Sequence, residues 1–184
     1  MNQKLRSLAS HLFLNTKHAN LYPFCEVRNG GSLIVSHSYV SNLMHCTFST
    51  KGRYPFIEAD LESDLWRYVG GIARANRMKA LAIGGTSDHM HALLSLPSMM
   101  AFAKAVQLIK GGSSKWVHDT FPRYRKFEWQ EGYGAFSVSA SQAQKTISYI
   151  ESQKDHHQRK TFQEEFRALL DKHGIEYDTR YLFV

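Results

Sequence analysis

The sequence predicts an α+β domain: a ferredoxin-like, RRM-like four-stranded antiparallel sheet with helices on one face, followed by C-terminal helices. Three observations carry that expectation. From Val40 onward, strand-length and helix-period segments follow one another as strand–helix–strand–strand–helix–strand, the ferredoxin-like order. The chain has 184 residues with 43% hydrophobic and 12% aromatic content, enough for one domain with a real core and too little for two enzyme-sized ones. No apolar run approaches the roughly 20 residues of a membrane helix, so no membrane association is expected.

Each element has its own signal. Leu43–Thr50 is β-branched and aromatic and stops at Lys51-Gly52, which reads as the first strand. Ser63–Arg77 reads as a helix, because Leu61, Leu65, Tyr68, Val69 and Ile72 recur at three- and four-residue steps. Ala80–Gly85 and His89–Leu96 are two strands joined around Thr86-Ser87-Asp88, and Met90, Ala92 and Leu94 are expected on the helix-packed face. A second helix is expected from about Met99 to Val117, with a weak point at Gly111-Gly112. Gly134–Ser139 is the fourth strand, Ser141 caps a third helix running to about Lys154, and Phe162–Lys172 is a fourth ended by Gly174. In this arrangement the second sheet face is free to carry a site. Residues 1–36 read as an appendage set off by Asn29-Gly30-Gly31, with Lys4, Arg6 and Leu8–Leu14 only faintly like a signal peptide. The domain is expected to occupy residues 37–184 and to fold without the appendage.

The charge balance narrows the partners. Lys plus Arg exceeds Asp plus Glu by 23 − 16 = 7, with ten histidines counted neutral, and the pI is about 9.4. Such a chain suits a polyanion. Cys25 and Cys46 lack metal-type spacing and cannot form a disulfide framework, which fits a reducing compartment.

Three groups of residues could do chemistry. His89 and His91 stand two apart in a strand, so both imidazoles share a face and can share one divalent ion. An H-x-H pair also arises by chance in a chain with ten histidines. Tyr149 and Gln153, four apart on a helix, share a face. A phenol can act as a covalent nucleophile and a Gln carbonyl can complete a hard-ion site, although a helical Tyr more often only packs. The stretch from Lys110 to Lys126 sets Lys110, Lys115, Arg123 and Arg125 among Ser113, Ser114, Trp116, Phe121 and Tyr124. Cations and hydroxyls suit phosphate oxygens, and aromatics suit unpaired bases. Lys51 and Arg53 extend this DNA-binding candidate surface.

His45–Thr50, the run Gly85-Thr86-Ser87-Asp88-His89-Met90-His91, Ile109–Lys115 and Tyr149-Ile150-Glu151-Ser152-Gln153 together resemble the single-tyrosine (HUH) transposases of IS200/IS605 insertion sequences. The resemblance covers roughly Ser38 to the C-terminus. It implies that His89, His91 and Gln153 hold Mg²⁺ or Mn²⁺, and that Tyr149 attacks single-stranded DNA to form a 5′-phosphotyrosine. It also implies recognition of hairpins at element ends, a homodimer with shared sites, and a cytoplasmic, nucleoid-associated setting. Leu43–Thr50, with neither Lys nor Pro, is the candidate edge for such a dimer. The alternatives are a domesticated repeat-associated tyrosine transposase acting on chromosomal hairpins, a nuclease using activated water, and a non-catalytic single-strand-binding module.

Overall fold

The computed structural model describes residues 39–157 and 160–183; the expectations for residues 1–36 and for Cys25 lie outside them. Strand β1 is Leu43–Ser49, helix α1 Ala59–Ala75, strand β2 Lys79–Gly85, strand β3 His89–Ser95, helix α2 Phe102–Thr120 and strand β4 Gly134–Val138. Helix α3 (Ala143–Glu151), the short α4 (Gln153–His156) and α5 (Phe162–Lys172) follow. The sheet order is β2-β3-β1-β4, all neighbours antiparallel, which is the ferredoxin-like arrangement.

The period-two alternation divides the sheet cleanly. Met44, Cys46 and Phe48 of β1, with Met90, Ala92 and Leu94 of β3, enter the main core beneath α1 and α2. Leu61, Leu65, Val69 and Ala73 form the buried stripe of α1, and Ala105, Val106, Ile109 and Val117 that of α2. Gly111-Gly112 is no break, because α2 runs continuously through it. A Cβ at Gly112 would lie 2.9 Å from Ile72 Cδ1, so the glycine lets α1 and α2 approach closely.

Four expectations need correction. The second sheet face is not free. Leu93 and Ile150 pack there as a satellite cluster, and Phe136 packs against Phe162, Phe166 and Leu170 of α5. The chain had enough amphipathic helix left after β4 to cover that face. Strand β1 is not an edge, since it pairs with both β3 and β4 and all seven of its residues are buried. The lack of Lys and Pro that reads as an unblocked edge equally marks an interior strand; the edges are β2 and β4. Ser141 does not cap α3, because a 3₁₀ turn over Ala140–Gln142 precedes the helix and Ser139 and Ser141 bond each other instead. The helix expected to reach Lys154 breaks at Ser152, so Tyr149 lies in the last turn of α3 and Gln153 begins α4. By contrast, α5 has the predicted bounds; its start is set by a capping box between Thr161 and Glu164.

Candidate functional site

The site is built on the covered face, where β1 contributes His45, Thr47 and Ser49 and β3 contributes His89 and His91. Thr47 is paired with His91 and Ser49 with His89 across the strands. All five are buried, and both strand-β3 imidazoles are completely so. They were expected on an open face; α3, α4 and α5 close it. Helix α3 comes close to β2 because a Cβ at Gly84 would stand 2.6 Å from the Ile150 carbonyl oxygen. That approach brings Tyr149 over the histidines, with its ring 5.9 Å from His91 and 6.0 Å from His45.

Glu165 of α5 is the hub. Its carboxylate, 2% exposed, accepts hydrogen bonds from Tyr149 Oη and from Gln153 Nε2, the latter at 2.9 Å. His157 Nε2 lies 3.0 Å and His91 Nε2 3.3 Å from Oε2, with His89 Nε2 at 4.0 Å. Gln153 Oε1 is 3.4 Å from His89 Nε2. The far nitrogens of the rings are held as well. His89 Nδ1 bonds Asp88 Oδ1 at 2.7 Å and Thr86 Oγ1 at 2.9 Å, and His91 Nδ1 meets His45 Nε2 at 3.0 Å. Among the described residues, every buried side-chain polar atom has a partner.

The electrostatics follow from this burial. Desolvation, then the neighbouring His91, push His45 down to about 3, and desolvation takes His91 to about 4 against the pull of Glu165. Both rings are therefore neutral near pH 7, and the His91–Glu165 contact is a hydrogen bond rather than an ion pair. In that contact His91 Nε2 donates to Glu165 and Nδ1 accepts from His45. An ion at Nε2 calls for the other tautomer, with His91 Nδ1–H donating a hydrogen bond to neutral His45 Nε2 and the Nε2 lone pair left for the ion. Burial opposes the charge on Glu165, but bonds from His157, His91 and Tyr149 outweigh it and hold the carboxyl well below its usual range. Burial, and then the Glu165 charge, raise Tyr149 above an ordinary phenol. The nucleophile candidate is held protonated.

His89, His91, His157 and Glu165 form a group that could hold a metal, their ligand atoms all within 4.8 Å of one another. The donor set fits a divalent ion: the imidazoles converge through Nε2 beside a carboxylate oxygen. Sequence reasoning found the His pair, Tyr149 and Gln153, and the fold brings these four together. It gave no role to His45, His157 or Glu165. The Glu165 signal was present, since α5 buries Phe162, Glu165, Phe166 and Leu170 as one stripe, and a carboxylate on an apolar stripe calls for partners.

The DNA-binding candidates divide. Lys51, Arg123 and Arg125 line a cleft of about 700 Å³ with Tyr54, Phe56 and Lys126, and Arg53 is exposed on the turn after β1. Lys51 pairs with Glu128, Arg123 with Asp60 and Glu58, and Lys115 with Asp119. Ser114 is half-buried. Ser113 is not a DNA contact: it is fully buried, donates to the Ile109 carbonyl at 2.6 Å and accepts from Trp129 Nε1 at 2.9 Å. Lys110 is largely committed too, donating to the carbonyls of Gln130, Glu131 and Gly132. A second cavity, of about 520 Å³, opens directly onto His45, Tyr149 and Glu165 and carries Lys145, Lys160 and Lys172 in its lining.

Fold and site thus define a ferredoxin-like protein with a buried His–Glu centre facing a helical tyrosine. A model of the family described as Transposase IS200 like matches residues 38–153, and the chain belongs to that family, whose membership implies enzymatic DNA cleavage. Two solved structures share the fold. One is a Deinococcus radiodurans R1 protein assigned as a transposase, with 23% identity and TM-score 0.54, covering 66% of this chain and 98% of that one. The other is a REP-associated tyrosine transposase bound to a REP hairpin, with 16% identity and TM-score 0.51, covering 73% and 74%. No curated protein matches the sequence. No helix among the described residues is long and apolar enough to cross a membrane.

Proposed function

We propose that this chain cleaves and rejoins single-stranded DNA through Tyr149, with His89, His91 and Gln153 at the divalent-ion site. The observation that carries the reading is the convergence of Tyr149, Gln153 and the His pair, from three separate elements, around one carboxylate. In the forward step Tyr149 Oη bonds to phosphorus and the bond from phosphorus to the 3′ oxygen breaks. That oxygen takes up one proton as the phenol gives up another, so protons balance. The phosphotyrosine keeps the energy of the phosphodiester, and a later 3′-OH reverses the step without a nucleotide cofactor. A bound divalent ion would supply charge stabilisation at the phosphate oxygens. His45 and Asp88 orient the two imidazoles, and Glu165 holds the phenol proton at Tyr149 Oη. The lysine-lined cavity beside Tyr149 supports a path for the strand's phosphates, and the Tyr54/Phe56 cleft supports base stacking.

Hairpin recognition, as in the REP-associated relative, and a homodimer belong to the same reading, because excision needs two ends held together. The test is incubation with the element's flanking single strands, followed by a denaturing gel. Wild type should give a protein–DNA adduct and Tyr149→Phe none, with hairpin binding retained. An adduct formed by the Phe variant rejects Tyr149 as nucleophile. Adduct formation in a mixed His89→Ala and Tyr149→Phe dimer would show sharing between subunits.

A further inference from the structure

Beyond residue 153, where the family match ends, the chain adds two side chains to the His pair: His157 and Glu165. We infer that both are metal ligands in their own right, and that with His89 and His91 they make a three-nitrogen, one-oxygen site for a later first-row transition ion such as Co²⁺ or Zn²⁺. In the resting protein this site closes α5 over the nucleophile. The inference rests on the proposed reading that the His pair binds a divalent ion.

The geometry fits. Metal–ligand bonds of about 2.0–2.2 Å place tetrahedral ligands about 3.4 Å apart. Here Glu165 Oε2 lies 3.0 Å from His157 Nε2, 3.3 Å from His91 Nε2 and 4.0 Å from His89 Nε2. The chemistry selects among ions. Mg²⁺ demands oxygen ligands and gives up its waters reluctantly, whereas three imidazoles favour later first-row ions. The ring orientations are prepared from outside, through Asp88 and Thr86 on His89 and through His45 on His91.

Gln153 has a different place in this state. Its Nε2 donates to Glu165 Oε1 at 2.9 Å, so it steers the carboxylate. Tyr149 Oη donates to that same oxygen. A DNA phosphate oxygen that took the place of Glu165 Oε2 on the four-coordinate ion would turn the carboxylate away, and its Oε1 would leave Tyr149 with it. One carboxylate therefore covers the ion and holds the nucleophile protonated at once, until the substrate replaces it.

The experiment uses the full chain, stripped with EDTA and titrated with Co²⁺ while the visible d–d absorption is followed. Wild type should take up one Co²⁺ with the intense bands of a low-coordinate site. Zn²⁺ should displace it, and Mg²⁺ at roughly a thousandfold excess should not. Glu165→Gln and His157→Ala should each weaken Co²⁺ by about tenfold or more and alter the bands. His157 lies near the surface, with a side chain 12% exposed, so its variant tests the site even if the buried Glu165→Gln fails to fold. If both variants bind like wild type while His89→Ala does not, the inference is overturned and the His-pair reading stands. Displacement by Mg²⁺ overturns the three-nitrogen site. No Co²⁺ uptake by wild type overturns both.

Discussion

The two faces of the sheet are equally buried and chemically opposite. Beneath α1 and α2, strands β1 and β3 present Met44, Cys46, Phe48, Met90, Ala92 and Leu94; under α3 to α5 the same strands present His45, Thr47, Ser49, His89 and His91. Burial alone therefore does not separate core from site. The difference is what each face demands of its cover. Apolar side chains need only volume, and two helices with aliphatic stripes supply it. Imidazoles and hydroxyls taken out of water need partners, at about 1–3 kcal/mol for each one left unmet. The second cover accordingly carries Tyr149, Gln153, His157 and Glu165.

The comparison is broken most severely by changing the polar face. His91→Ala should lower adduct formation by about 10³-fold or more, through loss of the ion's charge stabilisation. Its stability cost should be about 2–6 kcal/mol, at about 1–3 for each of the partners that His45 and Glu165 lose. Adduct gels and urea denaturation measure the two effects separately. The mirror experiment is Phe48→Ala on the apolar face, which should cost about 3–5 kcal/mol and leave Co²⁺ affinity of the folded protein unchanged. If Phe48→Ala abolished metal binding, the faces would not be independent.

A finer test acts where the polar cover meets the sheet. Gly84→Ala puts a methyl 2.6 Å from the Ile150 carbonyl oxygen, and the overpacking should cost about 1–3 kcal/mol. Helix α3 must give way, so adduct yield should fall further than the loss of folded protein explains. Equal falls would mean that α3 positions Tyr149 loosely.

The smallest effect belongs to the apolar face at high pH. Burial pushes the Cys46 thiol up to about 12 from an ordinary value of 9.0. Above pH 9 the unfolded chain loses this proton and the folded chain keeps it, so stability present at lower pH is lost as pH rises. By pH 10 the loss should be about 1 kcal/mol. Denaturation midpoints between pH 8 and 10 should fall in wild type and flatten in Cys46→Ala. Parallel slopes would show that Cys46 does not titrate on unfolding.

What the sequence determined by itself is local and periodic. Alternation places His89 and His91 on one face and Met90 on the other, because a strand permits nothing else. The helical repeat places α1 and α5, and the order of elements selects the ferredoxin-like sheet. The same alternation in Leu43–Ser49 already separates His45 from the apolar residues, although only the fold shows His45 behind His91.

Contacts between distant segments were decided by tertiary structure. Ser113 reads as a phosphate contact until Trp129 is seen to occupy it, and β1 reads as an edge until β4 pairs with it. His157 lies in a turn with no pattern to mark it, and Glu165 stands 74 residues from His91 (165 − 91). Periodicity records which way a side chain faces along its own element. Which residue comes to meet it depends on how the helices after β4 pack, and that choice is set by the need to satisfy buried imidazoles.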